Sequence, residues 1–275
     1  MSRTTAPRVA TEALRRQAIA LGVAAGLSAP RAADLAHHVL WYEVLGAPHL
    51  GLWALPSWLE GIASGRHDPA AAGRVVGERT GSARLDAARA LPPLAMSQAV
   101  AVAAEKAREN GSAVLRVENL DGPCPCGDAA AREAVGPVAV LILTARPSWV
   151  LAMPGAGDPP TVADTDLAAR PPAKGKAAAA PAPPPEWAGP LGPMLAAFAP
   201  GPGGAVVLAL HVPAIDALDA LRSRLPAKPP APWLAPAELA ARRDDAEARG
   251  LPVPADLRKA LDDCAARLGI AALDA

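Results

Sequence analysis

Residues 96–118 read Met-Ser-Gln-Ala-Val-Ala-Val-Ala-Ala-Glu-Lys-Ala-Arg-Glu-Asn-Gly-Ser-Ala-Val-Leu-Arg-Val-Glu, and their periodicity changes at Gly111. Before it, Ala99, Val102, Ala103 and Ala107 share one face at helical spacing, which predicts a helix over 96–110 with the glycine as its stop. After it, Ser112 to Glu118 alternates and is rich in branched side chains, which predicts a strand. Working outward, Ser82 to Asp86 is a short strand, and Pro137-Val-Ala-Val-Leu-Ile-Leu-Thr144 is the continuous apolar run of a fully buried one. The resulting order of strand, helix, strand, helix, strand predicts an α/β core. No Gly-x-Gly-x-x-Gly follows any of these strands, so the ordinary dinucleotide fingerprint is missing.

On either side the chain is more helical. Residues 8–25 and 29–45 read as two helices, with His37-His38 on the flank of the second, where packing is the plainer role for the pair. The character changes over 145–203, where a short strand, Thr161 to Asp164, is followed by Pro- and Ala-rich sequence that cannot occupy helix or sheet interiors. Ala205 to Val212 is another buried-type strand, Ile215 to Leu225 a helix, and 237–249 and 255–268 are closing helices. The expected organisation is an N-terminal helical segment (1–70), an α/β core (71–212) with a Pro/Ala-rich insertion at 171–203, and a C-terminal helical segment (213–275) forming one composite domain with 1–70.

Composition narrows the function. There are 27 basic and 27 acidic residues, with no basic stripe, so nucleic acid is not an expected partner. Three cysteines, Cys124, Cys126 and Cys264, are too few and odd in number for a disulfide scaffold and fit the cytoplasm. Cys124-Pro-Cys126 lacks a second ligand pair, so no metal is expected. Arg15-Arg16 ahead of an apolar stretch resembles a signal peptide, yet Glu12, Arg15, Arg16 and Gln17 form the polar face of a helix that Gly26 ends. No run reaches the roughly 18 apolar residues of a membrane span.

Residues 46–65, Gly-Ala-Pro-His-Leu-Gly-Leu-Trp-Ala-Leu-Pro-Ser-Trp-Leu-Glu-Gly-Ile-Ala-Ser-Gly, are a turn leading into an amphipathic helix, with His49 at the junction. With its flanks this stretch resembles the malate/L-lactate dehydrogenases of the second type, a family that includes ureidoglycolate and diketogulonate dehydrogenases and cyclic-imine reductases. That family carries Gly-His-Asp-Ser-His-Gly and then Leu-Leu-Arg-Leu-Pro, and its second histidine is the acid/base of hydride transfer. Aligned on Gly46, Gly51 and Pro56, that histidine falls on Leu50, His49 sits one place early, and the arginine becomes Ala54. The family's scaffold is not a Rossmann fold, and the resemblance implies the same here. A second anchor is Asp166-Leu-Ala-Ala-Arg170 with Gly175-Lys176, against the family's Asp-Met-Ala-Thr-Ser and Gly-Lys. A third is Pro236-Ala237-Glu238, Arg242-Arg243 and Gly250-Leu-Pro-Val-Pro254, similar to the family's Pro-Gly-Glu and Gly-Ile-Pro-Leu-Pro.

The resemblance implies a mixed sheet with flanking helices and a homodimer, because the family builds its cleft partly from a second subunit. Its departures lie at the cofactor. Asn119-Leu-Asp-Gly122 has glycine where the family's Asn-x-x-His has histidine, and the interval from Thr144 to Met153 is too short for the family's Gly-Gly and Gly-Thr-Asn-Pro segments. The family's Trp-containing loop survives as Pro185-Glu186-Trp187. The expectation is therefore a repurposed, non-redox biosynthetic enzyme of cyclase, isomerase or lyase type, acting on a small molecule and needing no cofactor. His49 and Asp166 are its candidate catalytic residues, and Arg170, Lys176 and Trp53 its candidate substrate contacts. The alternatives are an oxidoreductase of 2-oxo or 2-hydroxy acids or cyclic imines using NADH or NADPH, and a non-catalytic binding protein.

Overall fold

A computed structural model describes residues 6–122, 124, 126–144, 148–154, 159–168, 203–215 and 233–273. In chain order the first elements are β1 (Arg8–Val9), α1 (Thr11–Ala24), α2 (Ala29–Val44), a 3-10 turn (Pro48–Leu50) and α3 (Leu55–Ala63). Next come β2 (Arg74–Arg79), β3 (Ser82–Asp86), α4 (Pro92–Asn110), β4 (Ser112–Glu118), α5 (Gly127–Val135), β5 (Val138–Thr144) and β6 (Trp149–Met153). The rest are β7 (Thr161–Asp164), α6 (Thr165–Ala168), β8 (Ala205–His211), α7 (Val212–Ile215), β9 (Trp233–Leu234), α8 (Pro236–Arg249), β10 (Leu251–Pro252) and α9 (Ala255–Leu268). They form two compact units: residues 1–71 with 240–275, and residues 72–239.

The first unit is helical and built from both ends of the chain. Gly22 in α1 has no side chain, and a Cβ there would stand 3.0 Å from Cβ of Ala32, so α1 and α2 approach closely. Leu14, Leu21, Leu35 and Val39 fill the seam between them. Gly26 takes φ +102° just after α1 ends, a conformation open to glycine. The two-residue strands β1 and β10 pair antiparallel, Arg8 opposite Pro252 and Val9 opposite Leu251, which ties the start of the chain to its tail. Arg8 reinforces the tie through hydrogen bonds to the Gly250 carbonyl (2.7 Å) and to Asp245 (2.9 Å).

The second unit is α/β, with an eight-stranded mixed sheet in the order β2-β3-β4-β8-β5-β6-β7-β9. Among the described residues only β3 and β4 pair in parallel, Ser82 opposite Val114 through Asp86 opposite Glu118, joined by α4 as a crossover. Pro92 and Pro93 occupy the first turn of α4, where their missing N–H groups have no helical partner to lose, and Gly111 (φ +85°) ends it. Helices α4 and α5 lie on one face of the sheet, where Ala99, Ala103 and Ala107 are buried together with Leu115, Val117 and Ile142. With so few aromatic side chains, the unit builds this layer from alanine and branched aliphatics. On the opposite face Leu143, Trp149, Leu151 and Met153 form a buried cluster. Nearer β2 that same face carries exposed Val114 and a groove of about 710 Å³ lined by Arg79, Arg84 and Arg116.

Candidate functional site

The His49 turn is built from the end of α2. After Val44 the chain reverses through Gly46 (φ +75°), with the Gly46 and Ala47 N–H groups donating to the carbonyls of Glu43 (3.0 Å) and Tyr42 (2.9 Å). Pro48 then opens the 3-10 turn, closed by Leu50 N–H to Ala47 O (2.9 Å) and Gly51 N–H to Pro48 O (3.0 Å). His49 sits in the middle of that turn, half-buried, and desolvation lowers its pKa below the ordinary imidazole value, so it is neutral at pH 7. Trp53, one turn on, is 36% exposed and stands at the protein surface as a ready apolar contact.

Glu43 lies beneath this turn. Only 6% exposed, its Oε1 accepts a 2.8 Å hydrogen bond from the Leu52 N–H. Burial pushes its carboxyl up to about 7, against the smaller opposing effect of that hydrogen bond. Gly51 is packed so tightly over it that a Cβ would stand 2.6 Å from the Val39 carbonyl oxygen and 2.9 Å from Glu43 Oε1. From the chain's tail, Arg242 donates to the Leu45 carbonyl and Arg243 lies 5.6 Å from the centre of the Trp41 ring. The stretch around His49 and the tail's arginine pair, the first and third anchors of the sequence, thus meet in one unit. Glu43 does not stand out in the sequence, since a glutamate near a helix end reads as surface, and Arg242, part of the third anchor, has a partner 197 positions away that the sequence does not show. His38 is buried in packing, its ring 5.3 Å from that of Tyr42 and 5.5 Å from that of Trp58.

In the second unit, polar groups gather at the C-terminal ends of the parallel strands. Asp86, at the end of β3, accepts hydrogen bonds from the Asn119 side chain and the Ala88 N–H, both 3.0 Å. The Asn119 bond, and then the Ala88 bond, hold its carboxyl below the usual carboxylate range. Asn119 (φ +58°) and Arg89 (φ +62°), one in the loop after each strand, are the only non-glycine residues with positive φ among the described residues. At Gly122 (φ +101°) a Cβ would meet nothing within 4 Å.

Asp166 lies in α6, whose start is fixed by Thr165: its hydroxyl oxygen accepts from the Trp149 N–H (2.9 Å) and donates to the Trp149 carbonyl (3.0 Å). The Asp166 side chain, Arg170, Lys176 and Trp187 fall outside the described residues. His49 and Trp53 therefore belong to the first unit and Asp166 to the second. The Cys126 thiol donates to the Cys124 carbonyl (2.9 Å), and burial pushes its pKa well up. Both cysteines are buried and free, and no group of three or more metal-ligating side chains occurs among the described residues.

Against known families, the model for malate/L-lactate dehydrogenase matches residues 9–177, from α1 through the His49 turn and the parallel strands to Lys176. The chain belongs to this dehydrogenase family. Among solved structures it is similar to a malate dehydrogenase from Pyrococcus horikoshii, with TM-score 0.79 and 15% identity over 99% of each chain. It is also similar to a dehydrogenase from Sinorhizobium meliloti (TM-score 0.71, 24% identity, 94% of this chain and 98% of that one). A third likeness is to the sulfolactate dehydrogenase of Methanocaldococcus jannaschii (TM-score 0.70, 16% identity, 96% and 98%). No curated protein matches the chain in sequence.

Two expectations are corrected by these findings. The non-redox cyclase, isomerase or lyase reading is overturned, because the family and the similar structures are dehydrogenases. The expectation that no cofactor is needed falls with it. Both rest on motif letters lost in an ungapped alignment, and the scaffold that places those letters is intact. The interval from Thr144 to Met153, too short by its letters, contains β6, which pairs with β5 from Leu143–Trp149 to Val140–Ala152. Gly51 and the hydrogen bonds of the His49 turn likewise keep a defined backbone where the sequence alone shows a displaced histidine. Among the described residues no helix is long and apolar enough to cross a membrane.

Proposed function

We propose that the chain is an NAD(P)H-dependent oxidoreductase of a small 2-oxo or 2-hydroxy acid, working as a homodimer in the cytoplasm. The observation that carries this reading is the family match through residues 9–177, and the malate and sulfolactate dehydrogenases of the same fold support the substrate class. The second unit holds groups that fit part of a dinucleotide. The Asp86 carboxylate, fixed by Asn119, suits ribose hydroxyls, Arg89 adds positive charge nearby, and Gly122 leaves room for close approach. When bound, the nicotinamide supplies or accepts the hydride.

In this reading His49 moves the accompanying proton. Kept neutral by burial, its imidazole accepts a proton from a hydroxyl as the alcohol is oxidised and returns one on reduction. Trp53, beside His49 in the same unit, is the candidate apolar contact for substrate, while Asp166 stays the second candidate catalytic residue and Arg170 or Lys176 the candidate partners of a substrate carboxylate. Three buried, free cysteines suit a reducing compartment.

The test is a fluorescence titration with NADH and NADPH, followed by absorbance assays of coenzyme oxidation against a panel of 2-oxo acids. Binding in the micromolar range with turnover of at least one acid is the expected result. Absence of binding to either coenzyme refutes the reading.

A further inference from the structure

We propose that Glu43 is a positioning residue for His49: its buried carboxyl grips the Leu52 N–H and holds the Pro48–Leu50 turn where the imidazole is half-buried. The relevance to turnover rests on the proton-transfer reading of His49 above; the geometry of the grip does not. Three observations support it. The turn's own hydrogen bonds, from Leu50 to Ala47 and from Gly51 to Pro48, span three residues each and cannot hold so short a segment alone. The Glu43 bond reaches from α2 across nine positions to Leu52, two residues past the turn, and Leu52 itself is 1% exposed. Between them Gly51 closes over the carboxyl with no space for a side chain, so α2, the carboxyl and the turn form one packed stack.

A carboxyl is an expensive choice for that duty. Glu43 is only 6% exposed, and a single backbone donor offsets little of the desolvation of a charge. Serine or alanine at position 43 would avoid that burden but would not reach the Leu52 N–H. Protonation does not release the grip, since the carbonyl oxygen of a neutral carboxyl still accepts a hydrogen bond. Glu43 acts through the turn, by keeping His49 desolvated and its imidazole neutral.

The prediction is read at His49 by following its ring protons through a pH titration by nuclear magnetic resonance, assigned with His49→Ala. Glu43→Gln keeps an accepting oxygen in place and is expected to retain the lowered His49 pKa. Glu43→Leu removes the acceptor, and the His49 midpoint is expected to climb back toward the ordinary value of about 6.5. Leu35→Ala, on the same helix and fully buried, is the control: it lowers stability and leaves His49 unmoved. If Glu43→Leu fails to fold, Gly51→Ala tests the same stack from the other side and is expected to shift His49 in the same direction. A folded Glu43→Leu or Gly51→Ala protein with an unchanged His49 midpoint overturns the proposal. So does an equal shift in the Leu35→Ala control. Coenzyme binding is measured on the same samples. If the wild-type protein binds neither NADH nor NADPH while the His49 shift follows Glu43, the oxidoreductase reading fails and the positioning stands.

Discussion

Replacing Glu43 with glutamine removes a titrating group from the interior while leaving the shape of the side chain nearly unchanged. In the folded protein the Glu43 carboxyl titrates at about 7, against 4.5 when exposed, because burial disfavours its charged form. A carboxyl whose folded pKa is raised binds its proton more tightly in the native state. Its contribution is fully present below pH 4.5 and is lost as pH rises through about 7. Over that window the wild-type protein is expected to lose about 3 kcal/mol, from a displacement of the titration by 2.5 pH at ~1.36 kcal/mol each. The glutamine variant has no proton to lose there. Urea unfolding at pH 5 and pH 8 is the assay. The stability difference between variant and wild type is expected to move by about 2 kcal/mol in favour of glutamine at the higher pH. A fixed offset from burying the amide N–H groups affects both pH values equally and does not enter that difference. Parallel pH profiles for the two proteins would refute the claim that Glu43 is buried at the cost of its charge.

Three further substitutions test the geometry. Asn119→Ala loses the hydrogen bond to Asp86 and places alanine at φ +58°, so thermal unfolding is expected to show a loss of about 1–3 kcal/mol, with Asn119→Gly milder. In the same variant the Asp86 carboxyl is expected to titrate closer to its ordinary range, read by carbon-detected resonance. Thr165→Val strands the buried Trp149 N–H without its acceptor and is expected to cost about 1–3 kcal/mol in urea unfolding. His49→Ala is expected to reduce coenzyme-dependent turnover by about 10²–10⁴-fold in stopped-time assays while leaving NADH affinity within a few-fold, the split expected of a proton relay.

Much of the α/β unit is legible in the sequence where local signals agree. Ser112–Glu118 alternates, follows a glycine stop and lies in the sheet interior, and β4 has those limits. The same holds for Ser82–Asp86 and Thr161–Asp164. Helix α4 begins at Pro92 instead of Met96, because paired prolines that would break a helix interior are accepted in its first turn. Strand β2 goes unread because its register slips between Val75 and Gly77, which destroys the alternation a strand search needs. Strand β6 goes unread because its five residues are flanked by proline and glycine that mark loops.

The candidate site divides along similar lines. His49 is visible because the Gly46, Gly51 and Pro56 frame around it resembles the family's motif and puts it one place before the family's histidine. Glu43 is invisible because its importance comes from burial, and Arg242, visible as part of an anchor, hides its contact because the carbonyl it reaches is far away in the chain. The non-redox expectation fails for a related reason. It makes single letters such as Leu50 and Ala54 carry the chemistry alone, whereas the family match extends over residues 9–177 as a whole.

The pairing of β1 with β10 has a bearing on how the polypeptide is made. Helices α1 to α3 leave the ribosome ahead of residues 72–239, yet α9 and the strand that complete their unit are translated only after the whole of that stretch. At roughly 5–20 residues per second that wait lasts on the order of ten to thirty seconds. During it the apolar faces of the early helices are without their final cover, while the sheet behind them can already assemble. The nascent chain therefore matures from its middle outward, and a ribosome stalled before residue 240 releases a finished sheet carrying an unfinished helical unit.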